Sequence, residues 1–106
     1  MSALTLARQV RELLAVPERW TQGWLARDAN GVGCPPTSKR AVCWCLDGAM
    51  RRVTRNQVLR GDLDMELRAH LRMSPSIWND GSTHADVLAL LDRVVQRMER
   101  ENAVRR

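Results

Sequence analysis

The chain contains no phenylalanine and no tyrosine, so its four tryptophans carry nearly all of its large aromatic surface. It also lacks an apolar run approaching the ~20 residues of a membrane-spanning helix. Its first segment is interrupted by Arg8, Arg11 and Glu12, so a signal peptide is not expected. Repeats, linkers and low-complexity tracts are absent as well. These absences predict a cytoplasmic protein without a membrane segment.

Cysteine is scarce, and the number of cysteines is odd. Three thiols in a chain without a secretion signal fit reduced cysteines better than a disulfide framework. Cys43 and Cys45 would point about 200° apart on a helix, so they could not ligate one metal ion together. Cys34 precedes a predicted helix, which favours a reactive thiol, but no histidine is spaced to act as its base. We therefore expect no metal site, no cofactor and no catalytic cysteine.

The first third of the chain combines a helix with an extended segment. Leucines at helical spacing predict a helix over residues 3–16, which Pro17 ends because proline disfavours a helical residue before it. Residues 20–37 lose that period and contain the turn dipeptide Asn30-Gly31. This segment predicts a short β-hairpin or an extended loop.

A central helix is predicted over residues 39–53, capped by Thr37 or Ser38. Gly48 lies inside it, where a glycine costs about 1 kcal/mol of helix propensity. A close contact with another backbone or an aromatic ring would offset that cost. We therefore expect Gly48 to be a packing glycine at the centre of the fold.

Two further helical segments follow. Residues 56–60 predict a turn of helix broken at Gly61, and residues 62–72 carry leucines at i, i+4 spacing. The last helix begins at Thr83, and Asp86 three residues later completes the pattern of a capping box.

Together these segments predict a mainly α-helical fold of about four helices, with the hairpin or extended loop between the first two. A chain of 106 residues is long enough for one domain with a single core. We expect residues 1–106 to form that domain, with the arginine-rich tail frayed from Asn102 onward.

Three tryptophan-centred phrases are ordered along the chain. They are W-T-Q-G at residues 20–23, W-C-x-x-G-A at residues 44–49 and W-N-D at residues 78–80. Through these phrases the chain resembles an uncharacterised family of small bacterial and phage proteins, a domain of unknown function, over about residues 4–95. The resemblance implies a bacterial cytoplasm, or the host cytoplasm if the protein is phage-encoded, and it brings no known activity.

Polar residues accompany the phrases. If the phrases converge, Asp28, Asp80 and His84 could line one pocket and perform acid–base chemistry. In the competing interpretation, Asp80 and Thr83 satisfy backbone N–H groups around the last helix and His84 is a surface residue. The structural interpretation is favoured.

A basic stretch contains Arg51, Arg52, Arg55 and Arg60 with no acid among them, in a chain of net charge +5. Such a run indicates either a nucleic-acid-binding surface or a solvated face. Nucleic acid is therefore the alternative partner.

Trp24 is the least constrained tryptophan, and with Arg27 it is our candidate anchor for a protein partner. We expect a non-enzymatic accessory protein that binds a protein partner. One such role is inhibition of a host defence complex by covering its nucleic-acid-binding surface. Nucleic-acid binding is the runner-up, and a small enzyme using Asp80 and His84 ranks below it. The sequence leaves the oligomeric state open.

Overall fold

The first helix, α1 (Ala3–Leu13), begins where the sequence predicts and ends three residues before the predicted end. The computed structural model describes residues 1–104. At the start of α1, the Ser2 hydroxyl accepts the backbone N–H of Thr5 at 3.1 Å, which satisfies one of the free donors of the first turn. A 3₁₀ turn (Pro17–Arg19) follows, because proline fits the first turn of a helix but not its interior.

Two short strands, β1 (Ala26–Arg27) and β2 (Cys43–Trp44), pair antiparallel, with Ala26 opposite Trp44. The predicted β-hairpin between the first two helices is confirmed, but its second strand lies at residues 43–44, beyond the expected range of residues 20–37. The turn at Asn30-Gly31 does form, with Gly31 at φ +79°, but it brings only an isolated bridge opposite β1. Strand β1 pairs instead with residues 43–44, which were predicted to be helical.

The central helix, α2 (Leu46–Val53), starts seven residues later than predicted, since residues 43–44 form β2. Neither Thr37 nor Ser38 caps it. The cap is Cys45, whose Sγ accepts the backbone N–H of Gly48 at 3.3 Å. A thiol is a weak acceptor, so this cap gives little signal in the sequence.

The third helix, α3 (Gln57–Leu71), is continuous, and the break predicted at Gly61 is wrong. The Asn56 side chain accepts two backbone N–H groups of the first turn, which starts the helix firmly. A glycine lowers helix propensity without removing a hydrogen bond, so α3 passes through it. After α3, a short helix that was not predicted, α4 (Pro75–Asp80), precedes the last helix.

The last helix, α5 (His84–Val104), has the predicted capping box. Thr83 Oγ1 accepts the N–H of Asp86, and Asp86 Oδ2 accepts the N–H of Thr83, both at 3.1 Å. Helix α5 continues through Asn102 to Val104, within the tail that was predicted to fray; Arg105 and Arg106 lie outside the described residues.

The mainly α-helical fold is confirmed, with five α-helices rather than about four within residues 1–104. Helix α1 packs against α2, α3 and α5, so the first helix lies at the centre of the helical layer. The core side chains share complete or nearly complete burial and include Leu6, Val10, Leu46, Met50, Leu63, Leu67, Leu90 and Leu91. None of the helices in the described range is long and apolar enough to cross a membrane.

Candidate functional site

The three tryptophan phrases converge on one buried polar side chain, Asn79. Its Oδ1 accepts the indole N–H of Trp20 at 2.8 Å and the backbone N–H of Leu46 at 3.3 Å. Its Nδ2 donates to the carbonyl of Thr21 at 3.1 Å. Asn79 is completely buried, so these bonds replace the water it would otherwise need. One amide thus ties the first phrase, the start of α2 and α4 together.

Gln22 makes the second connection between the first and third phrases. Its Nε2 lies 3.1 Å from the carbonyls of Asn79 and Asp80 and 2.7 Å from that of Ser82. Carbonyls at the end of a helix have no partner inside it, and this side chain supplies donors to them. Neither Gln22 nor Asn79 was a predicted site residue, although each belongs to a tryptophan phrase.

The middle phrase packs tightly against β1. Trp44 is buried, and its indole N–H donates to the carbonyl of Pro36 at 2.9 Å. A Cβ placed on Gly48 would lie 1.8 Å from the carbonyl oxygen of Leu25. The expectation that Gly48 is a packing glycine is confirmed, and the contact it allows is with a backbone. The phrases therefore serve mainly to hold the fold together.

Asp28 lies in the turn after β1 and organises it. Its Oδ1 accepts the backbone N–H groups of Asn30 and Val32 at 2.9 and 3.0 Å. This is the local bonding that aspartate commonly provides in turns. Asp28 faces a shallow depression shared with Arg40, away from the residues that surround Asp80.

Asp80 and His84 each make a bond to a distant backbone segment. Asp80 Oδ1 accepts the N–H of Gly23 at 2.8 Å, and His84 Nε2 lies 2.6 Å from the carbonyl of Leu14. The His84 ring also lies 5.9 Å from the ring of Trp20. Asp28, Asp80 and His84 therefore do not share one pocket, because each side chain is hydrogen-bonded to a different backbone segment.

The three cysteines are free thiols, and Cys45 is the buried one. Within residues 1–104, no group of three or more His, Cys, Asp or Glu residues is arranged to hold an ion. Burial raises the pKa of the Cys45 thiol, and the N–H of Gly48 only partly offsets this. A thiol held protonated is a poor nucleophile.

A hollow of about 210 Å³ opens between the first phrase and α4. Trp24 and Leu25 form its apolar wall, Cys45 contributes to its lining, and Ser76 and Asp80 supply its polar part. Trp24 is 57% exposed, whereas the other tryptophans are buried or packed against the core. This is the aromatic side chain that the fold leaves at the surface.

Within the basic stretch, the guanidinium of Arg52 is bonded back onto the fold, although the residue is exposed. Its Nη1 donates to the carbonyl of Ser38 at 2.9 Å and lies 3.4 Å from that of Pro36. Its guanidinium also lies 5.3 Å from the centre of the Trp44 ring. These contacts give Arg52 a structural role at the loop before β2.

The other arginines of the stretch have different surroundings. Arg51 pairs with Asp47 at 3.3 Å, and Arg60 Nη1 donates to the carbonyl of Thr54 at 2.9 Å. Arg55 is exposed between α2 and α3. Arg51 and Arg60, but not Arg55, line a second concavity.

This second concavity is a polar groove of about 320 Å³ between α2, α3 and α4. We name it the arginine groove. Its charged lining consists of three basic and two acidic side chains, which are Arg51, Arg60, Arg68, Asp47 and Asp64. Arg68 was not a sequence candidate, because it lies eight residues beyond the basic stretch and joins it only through the helical repeat of α3.

A family model described as a family of unknown function, DUF6197, matches residues 1–97 of the chain. The match includes all three tryptophan phrases and most of α5, so what the family shares extends over nearly the whole domain. It confirms the resemblance to an uncharacterised domain family. No characterised protein and no solved structure matched the chain.

Proposed function

This chain belongs to DUF6197, a family of unknown function, and we propose that it is a non-enzymatic protein-binding module whose partner docks at the hollow beside Trp24. The observation that carries the proposal is the 57% exposure of Trp24 in a domain whose other tryptophans pack into the fold. A tryptophan at a concave surface is typical of the few residues that supply most of the binding energy in protein interfaces.

Further apolar surface accompanies Trp24. Leu25 lines the same hollow and is 36% exposed. Single exposed apolar side chains are common on protein surfaces, whereas adjacent ones that line a concave surface are typical of an interaction site. Burial of this surface by a partner would remove it from water at a gain of about 25 cal/mol per Å².

Arg27 supports Trp24 from the side. Its guanidinium lies 5.8 Å from the centre of the Trp24 ring, within the range of a cation–π contact. It also donates to the Thr21 hydroxyl and to the carbonyls of Gln22 and Gly31. Because these bonds hold Arg27 in place, we assign it the positioning of the indole and assign the partner contact to Trp24.

The proposed setting is a bacterial or host cytoplasm, with a bacterial or phage origin, and it follows from the tryptophan phrases. One partner class is a host defence complex that binds nucleic acid. For such a partner, addition of the wild-type protein should displace the nucleic acid, and Trp24→Ala should displace far less of it. This comparison tests inhibition separately from binding.

The alternative, nucleic-acid binding through Arg51, Arg52, Arg55 and Arg60, receives less support from the geometry. Arg52 is bonded to backbone carbonyls, and Arg51 is paired with an acid. If the alternative held, affinity for duplex would fall steeply with salt as counterions are released.

The enzyme hypothesis receives the least support. The side chains of Asp80 and His84 are each bonded to backbone groups of other segments, and His84 does not line the hollow that Asp80 lines. Acid–base chemistry needs both groups within reach of one substrate atom.

The test is affinity capture from a bacterial host with the wild-type protein, Trp24→Ala and a control, Met65→Ala. Met65 is 71% exposed on α3 and does not line the hollow, so the control removes a similar kind of exposed apolar side chain. We expect one protein to be retained by the wild type and Met65→Ala and lost with Trp24→Ala. The purified pair should bind at least tenfold more weakly with Trp24→Ala.

Retention by Trp24→Ala at the wild-type level would contradict the proposal, as would equal loss with Met65→Ala. Size-exclusion chromatography with light scattering supplies a further check. A wild-type dimer that becomes a monomer with Trp24→Ala would show that the occupant of the hollow is a second copy of this chain.

A further inference from the structure

The arginine groove is distinct from the Trp24 hollow, and the two share only Ser76 among their lining residues. Its volume of about 320 Å³ falls at the lower end of the range for small-molecule sites, which begins at roughly 300 Å³. A groove of this size accommodates a small molecule better than a folded segment of a partner.

Two of its guanidinium groups are held by aspartates on their own helices. Arg51 Nε donates to Asp47 Oδ2 at 3.3 Å on α2, and Arg68 Nε donates to Asp64 Oδ2 at 2.6 Å on α3. Each pair is spaced i, i+4, so the helix fixes the position of both partners. Among residues 1–104, no other bond engages these two guanidinium groups, so their terminal N–H donors remain for a ligand.

The third guanidinium, that of Arg60, is anchored by a neutral group. Its Nη1 donates to the carbonyl of Thr54 at 2.9 Å, and no acid pairs with it in the described part of the chain. The charged lining therefore has one more positive than negative side chain. Arginines fixed in this way lose little conformational freedom when they bind an anion.

The groove also offers hydrogen-bond acceptors. Asp47 and Asp64 use Oδ2 in their pairs with arginine, which leaves Oδ1 of each for a donor. Ser74 lines the groove at the cap position of α4, yet its side chain makes no capping bond. The lining thus presents guanidinium donors beside carboxylate and hydroxyl acceptors.

Gly61 keeps the groove open. It lies inside α3, where glycine is unfavourable, and a Cβ placed on it would meet no atom within 4 Å. Unlike Gly48, it therefore has no packing contact that requires glycine. It lines the groove, so any larger side chain there would occupy space that a ligand needs.

From these observations we propose that the arginine groove binds a phosphate monoester with neighbouring hydroxyl groups, of the sugar phosphate class. The phosphate, with a charge of about −1.5 to −2 and three acceptor oxygens, takes donors from Arg51, Arg60 and Arg68. The hydroxyl groups donate to Asp47 and Asp64. This requirement for donors separates the ligand from an inorganic anion.

The test is an NMR titration of the ¹⁵N-labelled protein with ribose 5-phosphate, inorganic phosphate and ribose as three separate probes. We expect ribose 5-phosphate to shift the backbone amides of Gln57, Gly61 and Ser76 and to bind at least tenfold more tightly than phosphate. Ribose alone should cause no shift. Equal affinity for the two phosphates would overturn the proposal, as would the absence of saturable shifts with ribose 5-phosphate.

Variants locate the site. Arg60→Gln should weaken binding of ribose 5-phosphate at least tenfold, and Gly61→Leu should abolish it while the far-UV circular dichroism stays that of the wild type. Arg93→Gln is the matched control, since it removes the same charge from an exposed position on α5. Equal weakening by Arg93→Gln would mean that overall positive charge accounts for the binding, and the proposal would fail. The partner-binding function is tested separately by Trp24→Ala. Failure of the sugar phosphate proposal would therefore leave the partner-binding proposal intact, and the reverse also holds.

Discussion

The indole N–H of Trp20 donates to the side-chain oxygen of Asn79 across 2.8 Å, and this bond joins two segments that lie 59 residues apart in the chain. The same oxygen accepts the backbone N–H at the start of α2. Because Asn79 is completely buried, water cannot substitute for it. The tryptophan phrases are thus joined by a polar contact inside the core.

Asn79→Leu keeps a side chain of similar size and removes this acceptor. The indole N–H of Trp20 and the backbone N–H of Leu46 then lose their partner in the interior, and an unsatisfied buried donor costs about 1–3 kcal/mol. We expect a loss of at least about 2 kcal/mol in a urea melt followed by tryptophan fluorescence. Asn102→Leu, at an exposed position on α5, is the control and should change stability by less than about 0.5 kcal/mol. Similar values for both variants would show that the buried bond contributes little.

Gly48→Ala and Gly61→Ala form a matched pair of changes at helical glycines. A Cβ on Gly48 would lie 1.8 Å from the Leu25 carbonyl oxygen, so β1 and α2 must separate, at a cost of about 1–3 kcal/mol or more. A Cβ on Gly61 meets nothing, and alanine there should stabilise α3 by about 0.5–1 kcal/mol. Thermal melts of the two variants should therefore move in opposite directions. A shift in the same direction would contradict the close packing of Gly48.

Cys45 should make stability fall at alkaline pH. Burial raises the pKa of its thiol above the ordinary value of 9.0, so the unfolded chain releases this proton at lower pH than the folded one. The contribution of the group is fully present below pH 9 and is lost as pH rises from there through the folded pKa. Cys45→Ser keeps a capping side chain without that titration. The measurement is the free energy of unfolding at pH 7 to 10.5, where the variant should lose less stability than the wild type; parallel curves would refute the prediction.

Thr83→Ala should lower stability by about 0.5–2 kcal/mol, because it removes the hydroxyl that accepts the N–H of Asp86 at the start of α5. Thr83→Ser keeps that acceptor and should retain most of the stability. Chemical denaturation of the three proteins checks the order, and a serine variant as unstable as the alanine variant would point to a role for the threonine methyl group instead.

The candidate site was predictable in part. The phrases identified the segments that meet, and Gly48 identified a close contact, since both are visible as unusual residues at fixed positions. The roles of Asn79 and Gln22 could not be predicted from the sequence. In each hydrogen bond by which they join the phrases, the partner lies more than thirty residues away. Asp28 lies apart from Asp80 and His84 because it bonds within its own turn, whereas Asp80 and His84 bond to segments more than fifty residues away.

The arginines show that residues close together in the sequence need not line the same surface. Arg51, Arg52, Arg55 and Arg60 are close in sequence, yet Arg52 turns back onto Trp44. Arg68 lies outside the window, but the helical repeat brings it to the same groove as Arg60. Proximity in the chain therefore did not define the basic surface.

By itself the sequence determined the features that depend on contacts within about four residues. Leucine spacing determined that the fold is mainly helical, and Thr83 with Asp86 marked where the last helix begins, since capping bonds span only three residues. The tertiary structure decided the second strand, the extra helix α4, the hub at Asn79 and the exposure of Trp24. Those features depend on contacts with distant segments, which supply hydrogen-bond donors and acceptors or cover apolar side chains. Such contacts form only when the whole chain folds around its core.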